Sequence, residues 1–320
     1  MGHKNASTES ADSPAVLSKN MDPFPEKFLP IFIQNQFRTK IELPTKERYP
    51  NVQGKCAIIT GSNTGLGFES ARQLLALGLP RLIMAVRSLE KGNDAAKVLR
   101  DANPAARIDV WKLDMESYDS IQAFADRCHK ELERLDIAIL NAGLSPLSFS
   151  TCSTGHEKTM QVNHFGTALL AVLILPCLKS KAGGPDLPCL TIVNSVTAHL
   201  CKFPNRNERP LLASFDDTKI TPFDPQERYG VSKLINQLFL VKLADLVNHE
   251  NVVINMVDPG LTKGTSLGRD VKGPLSFALK GFLGIAGRPT ERGSATYVDA
   301  VLGHGKDSHG SFLMNCKNAP

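Results

Sequence analysis

Short apolar runs alternate with longer segments of helical period along most of this chain. Cys56-Ala57-Ile58-Ile59-Thr60, Leu82-Ile83-Met84-Ala85-Val86, Ile108 to Leu113, Ile137-Ala138-Ile139-Leu140, Leu190 to Asn194 and Val252 to Val257 are such runs. Each is short, nearly continuous in apolar residues and bounded by polar or glycine-rich sequence, the pattern of a strand buried on both faces. Between them, Phe68 to Leu77, Lys91 to Asp101, Ser117 to Arg134, Met160 to Leu178 and Tyr229 to Asn248 predict helices. Gly78 and Pro80 stop the first of these. Strands alternating with helices in this way predict an α/β fold. It is a single Rossmann-type, doubly wound parallel sheet with helices on both faces and substrate loops at the C-terminal edge.

Two stretches break the rhythm. Residues 200–226 are polar and proline-rich, and residues 262–290 carry many Gly, Pro and Lys. Both leave the carboxyl edge of predicted strands, where ligands bind on open α/β sheets, so they are candidate substrate loops. The Rossmann-fold catalytic domain is assigned to residues 52–320. Residues 1–22, rich in Ser, Asn, Asp and Ala, read as a disordered tail. Residues 23–51 form an N-terminal arm with an aromatic segment, Phe24 to Ile33. Packing on the body of the protein is the reading favoured for it, with a dimer contact or weak peripheral membrane contact as the alternatives.

Composition narrows the function. Of 320 residues, 42% are hydrophobic and 22% charged, and the net charge of +5 is spread without a basic run, which argues against a nucleic-acid partner. No apolar run suggests a transmembrane segment, and Met1 to Asp22 lacks the apolar core of a secretory signal. The seven cysteines make no C-x-x-C pair and no zinc spacing, so no metal is expected. Free thiols in a reducing, cytoplasmic setting fit them best.

The first predicted strand runs into Thr60-Gly61-Ser62-Asn63-Thr64-Gly65-Leu66-Gly67. Glycines at this G-x-x-x-G-x-G spacing permit a tight turn and bring backbone close to a pyrophosphate at a helix N-terminus. Cofactor choice is read at the end of the second strand, where NAD-binding chains place an acidic residue for the ribose 2′-hydroxyl. Arg87 and Ser88 stand there instead. A guanidinium binds a 2′-phosphate through charge-assisted hydrogen bonds, so NADP(H) is the expected cofactor. Asp114, closing the third strand, suits the adenine amino group. Asn141-Ala142-Gly143, closing the fourth, suits the adenosine ribose and the floor of the site.

Tyr229-Gly230-Val231-Ser232-Lys233 places Tyr and Lys at i and i+4 on one helix face. Carbonyl reduction needs a proton donor at the oxygen. A phenol of pKa near 10 suits that role when a neighbouring ammonium stabilises its phenolate. Ser195 follows the fifth strand and Asn163 sits in the helix after the fourth, on the edge that carries the glycine turn.

These motifs together resemble the short-chain dehydrogenase/reductase family: T-G-x-x-x-G-x-G at 60–67, N-A-G at 141–143, Asn163, Ser195, Y-x-x-x-K at 229–233 and Asp258-Pro259-Gly260. The likeness runs from about residue 52 to 315. It is strongest to retinol-dehydrogenase-like members and fungal reductases of secondary metabolism, through Ala85 to Gly92 and Leu190 to Ser195. The resemblance implies Tyr229 as general acid/base, with Lys233 lowering its pKa and binding the nicotinamide ribose. It implies Ser195 as a hydrogen-bond partner of the substrate oxygen, and Asn163 as holder of a water that links Lys233 to solvent. Pro259, Gly260, Leu261 and Thr262 would line the nicotinamide, and the helices of Asn163 and Tyr229 would form a homodimer contact.

Two features depart from the family pattern. Asn194-Ser195-Val196-Thr197 stands where many relatives have a Ser-Ser pair, with Thr197 the fallback for Ser195. Gly264 stands where Thr is usual. The reading is a ketone/aldehyde reductase or alcohol dehydrogenase acting on a bulky apolar small molecule. Leu200, Phe203, Phe215, Phe223, Phe277, Phe282 and Leu283 are candidates for an apolar pocket. The alternatives are a non-redox isomerase, dehydratase or cyclisation catalyst on the same fold and cofactor, and a cofactor-binding regulator without turnover.

Overall fold

The computed structural model describes residues 16–184, 186–264, 281 and 284–320. Six strands stand where the apolar runs predict them: β1 (Cys56–Thr60), β2 (Arg81–Val86), β3 (Arg107–Lys112), β4 (Ile137–Leu140), β5 (Cys189–Val193) and β6 (Val253–Asp258). Two short strands follow, β7 (Phe312–Met314) and β8 (Lys317–Ala319). They form one sheet in the order β3-β2-β1-β4-β5-β6-β7-β8. Every pairing is parallel except β7 with β8. The chain winds outward from β1 to β3 and returns to β4, so the order reverses between β1 and β4. A crevice opens at such a reversal, beyond the carboxyl ends of the strands.

Helices cover both faces. On one face lie α2 (Gly65–Ala76), α3 (Leu89–Ala102) and α7 (Thr290–Leu302). On the other lie α4 (Tyr118–Glu131), α5 (Lys158–Lys181) and α6 (Pro225–Leu246). Successive strand residues serve opposite faces: Ile58 packs with Phe124, Ile174 and Leu240, whereas Ile59 packs with Leu74, Leu99 and Val298. Burial from both sides explains why β1, β5 and β6 are buried at every position.

Boundaries differ from the sequence expectation where glycine and proline start a helix. α2 begins at Gly65 rather than Phe68. α6 begins at Pro225, with the Asp224 carboxylate accepting from the N–H groups of Gln226 and Glu227 at 2.8 and 2.9 Å. α7, β7 and β8 have no counterpart in the sequence reading. α7 buries Ser294, Thr296 and Asp299 beside its apolar residues, which blurs the helical pattern.

The arm packs on the body. Ile41 and Tyr49 are buried, and the Tyr49 hydroxyl donates to Asp299 Oδ1 at 2.7 Å. It opens with a short helix, α1 (Phe28–Ile33), continued by a π-helical turn, Gln34–Arg38. Residues 1–15 of the expected tail lie outside the described residues. Residues 16–22 do not follow the disordered reading: Ser18 exchanges hydrogen bonds with Phe312, and Lys19 pairs with Asp245 at 3.1 Å.

α5 is long and apolar enough to cross a membrane by length and composition, with a mean hydropathy of 1.5 in its most apolar stretch. Of that stretch, 67% is buried inside the fold, where Leu170, Ile174 and Leu178 serve as core.

Candidate active site

One cleft of about 620 Å³ runs along the crevice, from Arg87 and Asp114 at one end to Tyr229 and Thr262 at the other. Its floor is the turn from β1 into α2. Gly61 and Gly65 have φ of +63° and +58°, in the left-handed region that favours glycine. A Cβ on Gly67 would stand 2.5 Å from Asn141 Nδ2 and 2.7 Å from Gly61 O, so only glycine lets α2 start this close to β4. The turn is braced from β4: Asn141 Nδ2 donates to Thr60 O at 2.9 Å, and Ala142 N donates to Thr60 Oγ1 at 2.9 Å.

Helix starts need partners for their first N–H groups. Side chains of Ser88, Ser117 and Asp224 cap α3, α4 and α6. The start of α2 has neither a capping side chain nor an acidic residue in its first turn, and it opens on the cleft. Backbone donors and the positive helix end there suit a pyrophosphate. The residues present therefore fit a dinucleotide.

At the adenosine end, Arg87 and Asp114 both line the cleft, whereas Ser88 does not and its hydroxyl caps α3. The sequence reading found no acidic residue competing at this place; the structure supplies one. Glu116 Oε1 lies 2.6 Å from Arg87 Nη1 and 3.0 Å from Lys158 Nζ. Glu116 is shared between two cations, so the Arg87 guanidinium is only partly neutralised at the cleft wall.

At the far end, Ser195, Tyr229 and Lys233 meet on the cleft wall. Ser195 Oγ accepts from Thr197 N at 3.2 Å and from Thr197 Oγ1 at 2.9 Å. A hydroxyl has two acceptor sites and one proton. With both acceptor sites used, the Ser195 proton is left to donate toward Tyr229 and the cleft. Asp258 fixes this loop against its neighbour: Oδ1 accepts from Val196 N at 3.2 Å and Oδ2 from Gly260 N at 3.1 Å. Ser195 and Thr197, the fallback, both line the cleft, joined by the hydrogen bond between their hydroxyls.

Burial and the Asp258 charge hold the Tyr229 phenol above its ordinary range, with the Ser195 hydrogen bond pulling the other way. Lys233 Nζ sits 5.6 Å from the centre of the Tyr229 ring and donates to Val193 O at 2.9 Å. Burial pulls its ammonium down to about 8.

Of the other predicted residues, Asn63, Thr64, Leu66, Gly143, Pro259, Gly260, Leu261 and Thr262 also line the cleft. Asn163 does not line it. It stands in a π-helical turn of α5 (Gln161–Gly166), with its amide donating to Leu144 O at 2.9 Å and Ser232 Oγ at 3.1 Å. Both amide protons have partners, so its side chain braces the N-A-G loop against α6.

The apolar pocket is also rearranged. Leu200 lines the cleft, but Phe215 is buried in a cluster with Met160, Val231 and Ile235 that Phe203 packs against, and Phe223 packs edge-on to Phe149. Phe277, Phe282 and Leu283 lie outside the described residues. Phe28, Phe32, Asn35, Gln36, Arg288 and Met314 line the cleft in addition. Sequence reading missed them because contacts between the arm, α7 and the C-terminal strands leave no local pattern. Among the described residues, no group of three or more His, Cys, Asp or Glu comes together for a metal.

Residues 55–195 match the family model described as short chain dehydrogenase. The chain is 51% identical over 308 residues to the short chain dehydrogenase/reductase mfmJ of Annulohypoxylon moriforme, covering 95% of this chain and 88% of that one. The chain belongs to the short chain dehydrogenase/reductase family. It is also 45% identical over 274 residues to the short chain dehydrogenase opdN of Penicillium oxalicum, covering 82% and 88% of the two chains. The fold is similar to that of the Pseudomonas aeruginosa RhlG/NADP active-site complex, with a TM-score of 0.64, 22% identity and coverage of 83% and 96%.

A pH dependence is expected from Lys233. Its ammonium is charged below a pKa of about 8 and neutral above it. The Tyr229 phenol, held high, keeps its proton throughout the neutral range. Carbonyl reduction that needs the Lys233 charge is therefore expected to hold its kcat/KM up to about pH 8 and to decline above it. A pH–rate profile at saturating NADPH checks this, and a profile flat through that region counts against it.

Proposed function

We propose that this short chain dehydrogenase/reductase is an NADP(H)-dependent oxidoreductase that reduces the carbonyl group of a bulky, apolar small molecule. The observation that carries the reading is the Ser195–Tyr229–Lys233 corner, with a serine hydroxyl, a protonated phenol and a buried ammonium on one wall of a dinucleotide cleft.

When bound, the nicotinamide supplies the hydride. The protein's own residues do the rest. Ser195 donates to the substrate carbonyl oxygen and polarises it. Tyr229 gives its proton to that oxygen, and the Lys233 charge stabilises the phenolate left behind. Apolar Leu144, Val196, Leu200 and Met314 line the cleft and favour a substrate of the same character.

NADP(H) is preferred in this reading because the Arg87 guanidinium lines the adenosine end and shares its partner carboxylate, Glu116, with Lys158. Arg87→Ala is expected to weaken NADPH binding by roughly tenfold to hundredfold while leaving NADH binding nearly unchanged. Fluorescence titration of both cofactors measures this. An equal loss for the two would remove the 2′-phosphate from the argument. A place in secondary metabolism, in the cytoplasm, belongs to the same reading. The fungal sources of the relatives and the free cysteines support it.

A further inference from the structure

We propose that the N-terminal arm forms one wall of the substrate site, where Phe28 and Phe32 select a flat, fused-ring, uncharged molecule. The proposal rests on the reductase reading only for the reacting carbonyl; the wall itself is a claim about binding.

The arm divides its faces. Phe28, Phe32, Asn35 and Gln36 recur at helical spacing and line the cleft. Leu29, Ile33 and Phe37, one position on, are 66%, 38% and 55% exposed. The inward face is therefore set by the fold rather than by hydrophobicity, since both faces carry large apolar side chains.

The arm also lies at the reacting end of the cleft. Upstream of α1, the Phe24 ring meets His199 edge-on at 4.8 Å, four residues beyond Ser195. Downstream, Gln36 locks onto the loop after β6. Its amide donates to Leu261 O and Ala286 O, both at 2.7 Å, and its Oε1 accepts from Leu261 N at 3.2 Å. Asn35 Nδ2 meets Met314 Sδ at 3.2 Å, and the buried Arg288 guanidinium bonds Asn35 O. The segment from Phe24 to Gln36 thus bridges His199, just beyond Ser195, and Leu261 in the loop after β6.

With both ends tied, the two phenylalanines are held in place before any ligand enters. Aromatic rings offer flat apolar area at little cost in side-chain freedom. Leu144, Val196, Leu200 and Met314 complete an apolar lining, and a methionine adapts to the outline of a ring system. None of these six side chains carries a charge.

The test compares the wild type with Phe28→Ala/Phe32→Ala and Phe28→Leu/Phe32→Leu double variants of the full chain. One readout is 2-naphthol binding at saturating NADP+, followed by fluorescence anisotropy. The other is NADPH oxidation with 2-tetralone and with cyclohexanone, two ketones that differ by a fused aromatic ring. The alanine pair is expected to raise the 2-naphthol Kd and the 2-tetralone KM by roughly tenfold to hundredfold. Cyclohexanone KM should rise far less, NADPH affinity should report an intact cofactor site, and the leucine pair should fall between. Unchanged 2-naphthol binding in the alanine pair, equal losses for both ketones, or no binding by the wild type overturns the proposal. Arm-dependent 2-naphthol binding without oxidation of NADPH by either ketone supports the wall and removes the reductase reading.

Discussion

Tyr229→Phe is expected to lower kcat for carbonyl reduction by about 10²–10⁴-fold while NADPH still binds. The substitution removes one oxygen from a buried side chain and leaves the ring, its packing and the position of Lys233 in place. What is lost is the proton that must reach the substrate oxygen. Ser195 cannot replace it, because a serine hydroxyl polarises the carbonyl without becoming a stable anion, whereas a phenolate beside an ammonium is a tolerable product. Stopped-flow measurement of NADPH consumption in a single turnover separates this chemical defect from slow release of product. A variant that retained most of the wild-type rate would place the proton donor elsewhere.

The largest stability effect is expected away from the reacting atoms, at Glu157. This carboxylate is fully buried and lies 3.2 Å from Arg228, itself only 5% exposed. It also caps α5, accepting from Thr159 N at 2.8 Å and Met160 N at 3.0 Å. Arg228 in turn donates to Phe215 O at 2.7 Å and lies against the Phe215 and Phe223 rings. Glu157→Ala strands that guanidinium in the interior, and breaking one partner of a buried pair costs about 3–5 kcal/mol. Loss of the cap adds about 1 kcal/mol. Because Arg228 directly precedes Tyr229, activity should fall with stability, and Glu157→Gln, which keeps an acceptor for the cap, should lie between. Urea denaturation measures the change. A loss below about 1 kcal/mol would mean that Arg228 finds another partner or water.

The sheet was legible because burial on both faces writes itself into strands such as Cys56–Thr60 and Val253–Asp258 as continuous apolar sequence. The glycine turn and the Tyr229–Lys233 pair were legible because their chemistry needs fixed residue types at fixed local spacing. Asp224-Pro225 carried a readable helix start that an apolar pattern beginning at Tyr229 concealed. What stayed hidden depends on contacts between distant segments. Glu116 reaches Arg87 from the next strand end, 29 residues on, and nothing local marks the pair. Gln36 and Leu261 meet across 225 residues. Phe215 and Phe203 were assigned to the pocket for their apolar character, yet a phenylalanine in a loop packs that loop as readily as it lines a cleft, and here both do.

Transfer of deuterium from NADPH labelled at the nicotinamide C4 to 2-tetralone tests the central claim most directly. The account predicts an alcohol one mass unit heavier, with the label on the carbon that bears the new hydroxyl, and little or none formed by Tyr229→Phe. Conversion of a substrate to an isomer that requires bound cofactor but takes up no label would contradict the account and assign the fold to non-redox chemistry.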